Sequence, residues 1–104
     1  MTTIDTIDHD DWLRHIRARL ASTCEASTAE LLSLTAIVPD ASDASTHAAL
    51  LTGVRQNLAD TTEALRRIDN GEYGRCTSCL ASIPPERLEA VPQARTCVGC
   101  TRRQ

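Results

Sequence analysis

Two pairs of cysteines constrain this chain more than any other feature. Cys76 and Cys79 are separated by two residues, Cys97 and Cys100 likewise, and seventeen residues lie between the pairs. A Cys-x2-Cys turn holds two sulfurs about 3.5 to 4 Å apart on one side of a tight loop, so two such turns facing each other supply the tetrahedral thiolate set that Zn²⁺ prefers. The spacing therefore predicts one zinc ion on Cys76, Cys79, Cys97 and Cys100. Two other readings fit less well. A redox Cys-x2-Cys site needs only one pair, at a strand-to-helix junction of an α/β pattern, and no such pattern surrounds either pair. Two disulfides would need an oxidising compartment, whereas Met1-Thr2-Thr3-Ile4-Asp5 has neither the basic nor the apolar region of a secretion signal. Four thiolates leave zinc no open position, so the metal is expected to be structural and the chain not an enzyme. The fifth cysteine, Cys24, reads as a small core residue.

The rest of the chain must find stability with few large side chains. Its 104 residues include no Phe, one Trp and one Tyr, so aromatic packing cannot fill a compact core, and a metal site with helix pairing is expected instead. The net charge of −3 argues against a polyanion as principal partner. No apolar run reaches the length of a membrane span, and a cytoplasmic location, which keeps thiols reduced, is expected.

Two long helices are predicted upstream of the cysteines. After a short frayed arm over residues 1–7, the acidic cluster Asp8, Asp10 and Asp11 suits a helix N-terminus. From Trp12 to Val38 there is neither Pro nor Gly, and Leu13, Ile16, Leu20, Cys24, Ser27, Leu31, Leu34 and Val38 recur at steps of three and four. Pro39 ends this seam. A second seam, Ala44, His47, Leu51, Val54, Leu58, Thr61, Leu65 and Ile68, runs to Asn70-Gly71. In an antiparallel hairpin, facing positions have a constant sum of residue numbers. Leu34 with His47, Leu20 with Thr61, Ile16 with Leu65 and Leu13 with Ile68 each give 81, while Val38 with Ala44, Leu31 with Leu51 and Cys24 with Leu58 give 82. The register holds along the seam. The fold class expected is mainly α: an antiparallel two-helix coiled-coil hairpin over residues 8–70, its tip at 39–45, attached to a small four-cysteine zinc-ribbon module over 71–104. Between the cysteine pairs, Pro84-Pro85 and Pro92 bracket a helix of one to two turns. No long helix is expected after Cys100.

The tip is the other place where chemistry can reside. Asp40 and Asp43 stand on the turn, Glu25 and Glu30 add to the same sign, and no basic residue lies between Arg19 and Arg55. As caps of the second helix these aspartates would be purely structural. As carboxylates at the end of a rigid arm about 40 Å long they would reach into a cavity closed to a globular protein. His47 reads as a packed seam residue, and no nucleophile, phosphate loop or catalytic triad spacing is visible.

The segments Ala64-Leu65-Arg66-Arg67-Ile68-Asp69-Asn70-Gly71-Glu72-Tyr73-Gly74-Arg75-Cys76-Thr77-Ser78-Cys79, Ile83-Pro84-Pro85-Glu86-Arg87-Leu88-Glu89-Ala90-Val91-Pro92 and Cys97-Val98-Gly99-Cys100 closely resemble the DksA/TraR family of zinc-finger transcription regulators. Pro39-Asp40-Ala41-Ser42-Asp43-Ala44-Ser45 resembles that family's Asp-x-x-Asp-x-Ala tip, with Ser45 in place of the Ala. The resemblance implies a factor that inserts its hairpin into the secondary channel of bacterial RNA polymerase and modulates initiation, with Asp40, Asp43 and Ser45 close to the active centre. The basic positions with which the family binds guanosine tetraphosphate correspond to Asp60, Val91 and Thr101, so cooperation with that nucleotide is not carried over, although Arg102 and Arg103 remain as substitutes for one contact. Two other readings stay open. Tip carboxylates that hold a catalytic Mg²⁺ would make the chain a transcript-cleavage factor of the Gre kind. A DNA-binding zinc ribbon is the other, but Arg75, Arg87, Arg95, Arg102 and Arg103 against Glu72, Glu86 and Glu89 leave only +2, too little to expect direct DNA binding.

Overall fold

The computed structural model describes residues 2–103, with side chains for residues 9–102. Among the described residues four helices follow in order: α1 (Thr2–Thr35), α2 (Ala44–Asp69), α3 (Pro85–Ala90) and α4 (Val98–Arg103). The only strand-like pairing among the described residues is an isolated antiparallel bridge between Arg75 and Ser82. The chain is mainly helical, as its periodicity predicts.

The molecule is elongated. Its radius of gyration is 16.8 Å and it extends 60 × 30 × 21 Å, whereas a compact chain of this length would have a radius near 13 Å. The long dimension is set by the antiparallel pair α1 and α2. The 26 residues of α2 span about 39 Å. Along the pair, Ile16, Leu20, Ser27, Val54 and Thr61 are buried, and Leu13, Cys24, Leu31, Leu34, His47, Leu51, Leu58, Leu65 and Ile68 are half-buried. Two helices alone cannot close over a seam, which is why so many of its members stay partly wet.

Three boundaries differ from the sequence reading. The backbone is helical from Thr2, where a separate arm over residues 1–7 and a start at Asp8 were expected. Nothing from Thr2 to Asp11 breaks a helix, and acidic residues near a helix N-terminus favour it wherever it begins. At the other end α1 stops at Thr35, not Val38. Val38 precedes Pro39, whose ring pushes it out of the helical region, and the last turn closes with Ala36 N–H on Leu32 O (3.2 Å) and Ile37 N–H on Leu34 O (3.3 Å). Consequently Val38 and Ala44, expected to face each other in the seam, are both exposed. The connection between the helices spans residues 36–43 instead of a tip confined to 39–45.

The base of the hairpin is where burial concentrates. Ile16, Leu20 and Ala64 form one buried cluster, and Cys76, Ile83, Leu88, Ala94 and Cys100 form another in the finger. Trp12 and Tyr73, the two aromatic residues, pack against both clusters. α2 leaves the hairpin through a Schellman turn: Gly71, at φ +73°, donates its N–H to Ile68 O (3.1 Å), and Glu72 donates to Arg67 O (2.8 Å). This turn delivers Tyr73 to the joint.

Candidate functional site

The finger is built from two short turns that aim sulfurs at one point. In the first, Leu80 N–H bonds Cys76 O (2.9 Å) and Cys76 N–H bonds Ala81 O (2.8 Å), which carries the chain through a left-handed residue, Leu80, at φ +66°. In the second, Thr101 N–H bonds Cys97 O (2.9 Å) as α4 begins. Thr77 N–H on Arg95 O (2.8 Å) ties one turn to the other. The four sulfurs of Cys76, Cys79, Cys97 and Cys100 all lie within 4.8 Å of one another, and Cys79 and Cys97 are 3.7 Å apart. In a tetrahedron with Zn–S bonds of about 2.3 Å the sulfurs stand about 3.8 Å apart. The donor set and its spacing therefore fit a single structural Zn²⁺.

The electrostatics of the cluster point the same way. Backbone N–H groups of Cys79 and Cys97 pull the Cys76 thiol down to about 6. Cys97 is lowered as well, chiefly by the N–H of Cys100. Cys100 is pushed up to about 12, because its proton is shared first with Cys97 and then with Cys76 and Cys79. The protein thus favours a partly ionised sulfur set, and a divalent cation displaces the remaining protons. Arg87 braces the second turn, donating to Thr96 O (3.2 Å) and Thr101 Oγ1 (3.3 Å).

The finger is clamped to the hairpin by groups whose role here the sequence does not announce. Trp12 Nε1 donates to Glu89 Oε1 (2.8 Å), Arg19 to Glu89 O (2.9 Å) and Tyr73 Oη to Pro92 O (2.8 Å). Gln93 Nε2 reaches Thr61 Oγ1 (3.3 Å), and Arg67, buried, reaches Ala94 O (3.4 Å) while facing Glu63 at 3.7 Å. Residues 89–94 are therefore the finger's docking strip on α1 and α2. Arg17 and Asp69, 2.5 Å apart, add a surface pair between the helices. Thr61 apart, no periodicity marks these partners, since each hydrogen bond of the clamp joins residues distant in the chain.

At the far end, Asp40 and Asp43 are both exposed, and Ser45 is exposed in the first turn of α2. Asp43 N–H bonds Asp40 O (2.9 Å), which folds the turn, and Asp43 O accepts from His47 N–H (2.9 Å). Asp43 occupies the N-cap position of α2, yet its carboxylate makes no capping hydrogen bond. Among the described residues the ion pairs all lie toward the base, at Asp11, Asp69 and Glu63, and none involves a tip carboxylate. His47 is half-buried, and its Nε2 lies 2.8 Å from Leu34 O, which can only accept. It joins α2 to the end of α1 as a seam residue and confirms that Leu34 and His47 face each other.

Residues 71–104 match the sequence model of the prokaryotic dksA/traR C4-type zinc finger. The chain is 37% identical over 46 residues to the RNA polymerase-binding transcription factor DksA of Buchnera aphidicola, covering 44% of this chain and 30% of that protein. It is 46% identical over 44 residues to general stress protein 16O of Bacillus subtilis, covering 42% of this chain and 27% of that protein. Such matches span between 18% and 40% of the curated relatives' own lengths. The structure of transcription factor DksA2 from Pseudomonas aeruginosa superimposes with a TM-score of 0.55 at 30% identity, covering 90% of this chain and 78% of that one. A helical hairpin on a C4 zinc finger defines the class of protein. Within that class the chain belongs to the DksA/TraR family.

Proposed function

We propose that this chain is a non-enzymatic transcription regulator that binds bacterial RNA polymerase, extends its hairpin through the secondary channel and modulates initiation through Asp40, Asp43 and Ser45. The observation that carries this reading is the tip: two exposed carboxylates, uncommitted to capping, at the end of a hairpin whose base is fixed by the finger. The likeness to a relative named as an RNA polymerase-binding transcription factor supplies the partner. The metal only shapes the base that aims the tip, because four thiolates leave it no free position. Guanosine tetraphosphate is not expected to cooperate through the three positions that align with the family's basic ones. Asp60 there accepts from Gln56 (2.9 Å) and Thr101 accepts from Arg87, and neither offers a cation to a phosphate.

Competition for core polymerase against a known secondary-channel factor tests the reading. The wild-type chain is expected to displace that factor. Asp40→Asn and Asp43→Asn are expected to compete almost as well but to lose the effect on promoter-complex lifetime. Failure to compete would sink the channel reading, and normal regulation by both variants would remove the tip's role alone. Incubation with a backtracked elongation complex separates regulation from cleavage: shortened RNA would assign the tip carboxylates to Mg²⁺ and transcript hydrolysis.

A further inference from the structure

We propose that Ile37 and Val38 form an apolar anchor that enters an apolar hollow in the basic protein surface on which the acidic tip docks. The inference rests on the polymerase reading above and assigns the tip a second contact, separate from its carboxylates. Val38 is 93% exposed and Ile37 53%. Single exposed apolar residues are ordinary. These two are consecutive and β-branched, they stand next to the uncommitted carboxylates, and Val38 is the most exposed of the large apolar side chains among the described residues, ahead of Leu80 and Leu32.

The pair is also held in place. Pro39 disfavours helical backbone at Val38, Ile37 N–H is bonded to Leu34 O (3.3 Å), and His47 Nε2 meets the same carbonyl at 2.8 Å. Asp43 N–H on Asp40 O closes the other side of the turn. A connection ordered before binding loses little conformational freedom when it is covered, which is the condition under which a small apolar contact becomes an affinity determinant.

Charge identifies the chemistry of the occupant. Between Arg19 and Arg55 the ionised side chains are Glu25, Glu30, Asp40 and Asp43, all acidic. A prong of this sign is repelled by nucleic acid and by acidic protein surfaces and is drawn to a basic one. Carboxylates steer and orient such an encounter but stay hydrated. Ile37 and Val38 supply the contact area from which water is expelled.

The test measures the affinity of the zinc-loaded full chain for core RNA polymerase across a salt series, with Val38→Ser, Ile37→Ser and Val38→Ile beside the wild type. Val38→Ser is expected to weaken binding about tenfold, the loss that follows from removing most of a buried Val side chain, with the salt slope unchanged. Val38→Ile is expected to retain affinity. Helix content and thermal midpoint should stay at the wild-type values, because both residues lie outside the helices. If both serine variants bind within about twofold of wild type, the anchor is wrong and the polymerase reading stands. If the wild type itself does not bind core polymerase, both fall together.

Discussion

Tyr73 and Trp12 carry more of this fold than their number suggests. In the sequence they register only as a shortage of aromatics, yet both sit where the hairpin meets the finger and each touches both buried clusters. The cysteines were legible because their chemistry is local: two residues of spacing suffice to aim two sulfurs. Tyr73 was not, because its partner Pro92 is nineteen positions away and no pattern announces the pairing. Burial pushes the Tyr73 hydroxyl up to about 12, with Arg67 and Arg19 only partly opposing it. The folded chain therefore holds this proton more tightly than the unfolded chain, whose tyrosine ionises near 10. The resulting stabilisation is complete below pH 10 and is lost as the pH rises through about 12. As Tyr73 is the single tyrosine, a phenolate absorbance titration reads it without interference. The expected midpoint lies well above that of the urea-unfolded chain, and coincident midpoints would mean that the joint is open to water.

The course of each helix was legible in its seam, but the ends were not. Steps of three and four report which face is covered, and His47 on Leu34 O shows that the register they imply is the one adopted. Ends depend instead on single residues such as Val38, whose constraint comes from the proline after it. A further element of the pairing is polar. Asn57 Nδ2 donates to Ser27 Oγ (2.8 Å), Thr61 Oγ1 donates to Asn57 O (2.7 Å), and Gln93 Nε2 reaches Thr61 Oγ1 from the finger. Thr61 is 0% exposed, so this network crosses the seam where a coiled coil uses one polar position to fix alignment. Two substitutions separate its bonding from its packing. Thr61→Val keeps the shape and removes the acceptor for Gln93, at an expected cost of about 1 kcal/mol. Thr61→Leu adds volume to a closed site and is expected to cost more, about 1 to 3 kcal/mol. Urea denaturation followed by circular dichroism ranks them. A Leu variant as stable as wild type would show that the seam has room and that Thr61 is not a register device.

At the scale of the whole molecule, the finger and the hairpin are each too small to be stable by area alone. The finger's buried cluster contains five residues, of which two, Cys76 and Cys100, belong to the zinc-binding set. Without the metal such a core does not hold together. The hairpin's own cluster is Ile16, Leu20 and Ala64, and its remaining seam is largely half-buried, while isolated helices in water are marginal. Each part therefore depends on the other through Trp12, Tyr73 and the strip from Glu89 to Ala94. Stripping zinc should then do more than unfold residues 71–103. Trp12 loses the finger side of its surroundings and its bond to Glu89, so the emission of this single tryptophan should shift to the red. α1 and α2 lose the Trp12 and Tyr73 packing at their base, about 2 kcal/mol of burial, which for a chain of this size lowers the helix melting midpoint by about 10 °C. Adding zinc back should reverse both changes together. The red shift and the lower midpoint must appear at the same chelator concentration, since a single joint produces them. If helicity melts at the same temperature with and without zinc, the hairpin stands on its own, and the finger does not brace the arm that presents Asp40 and Asp43.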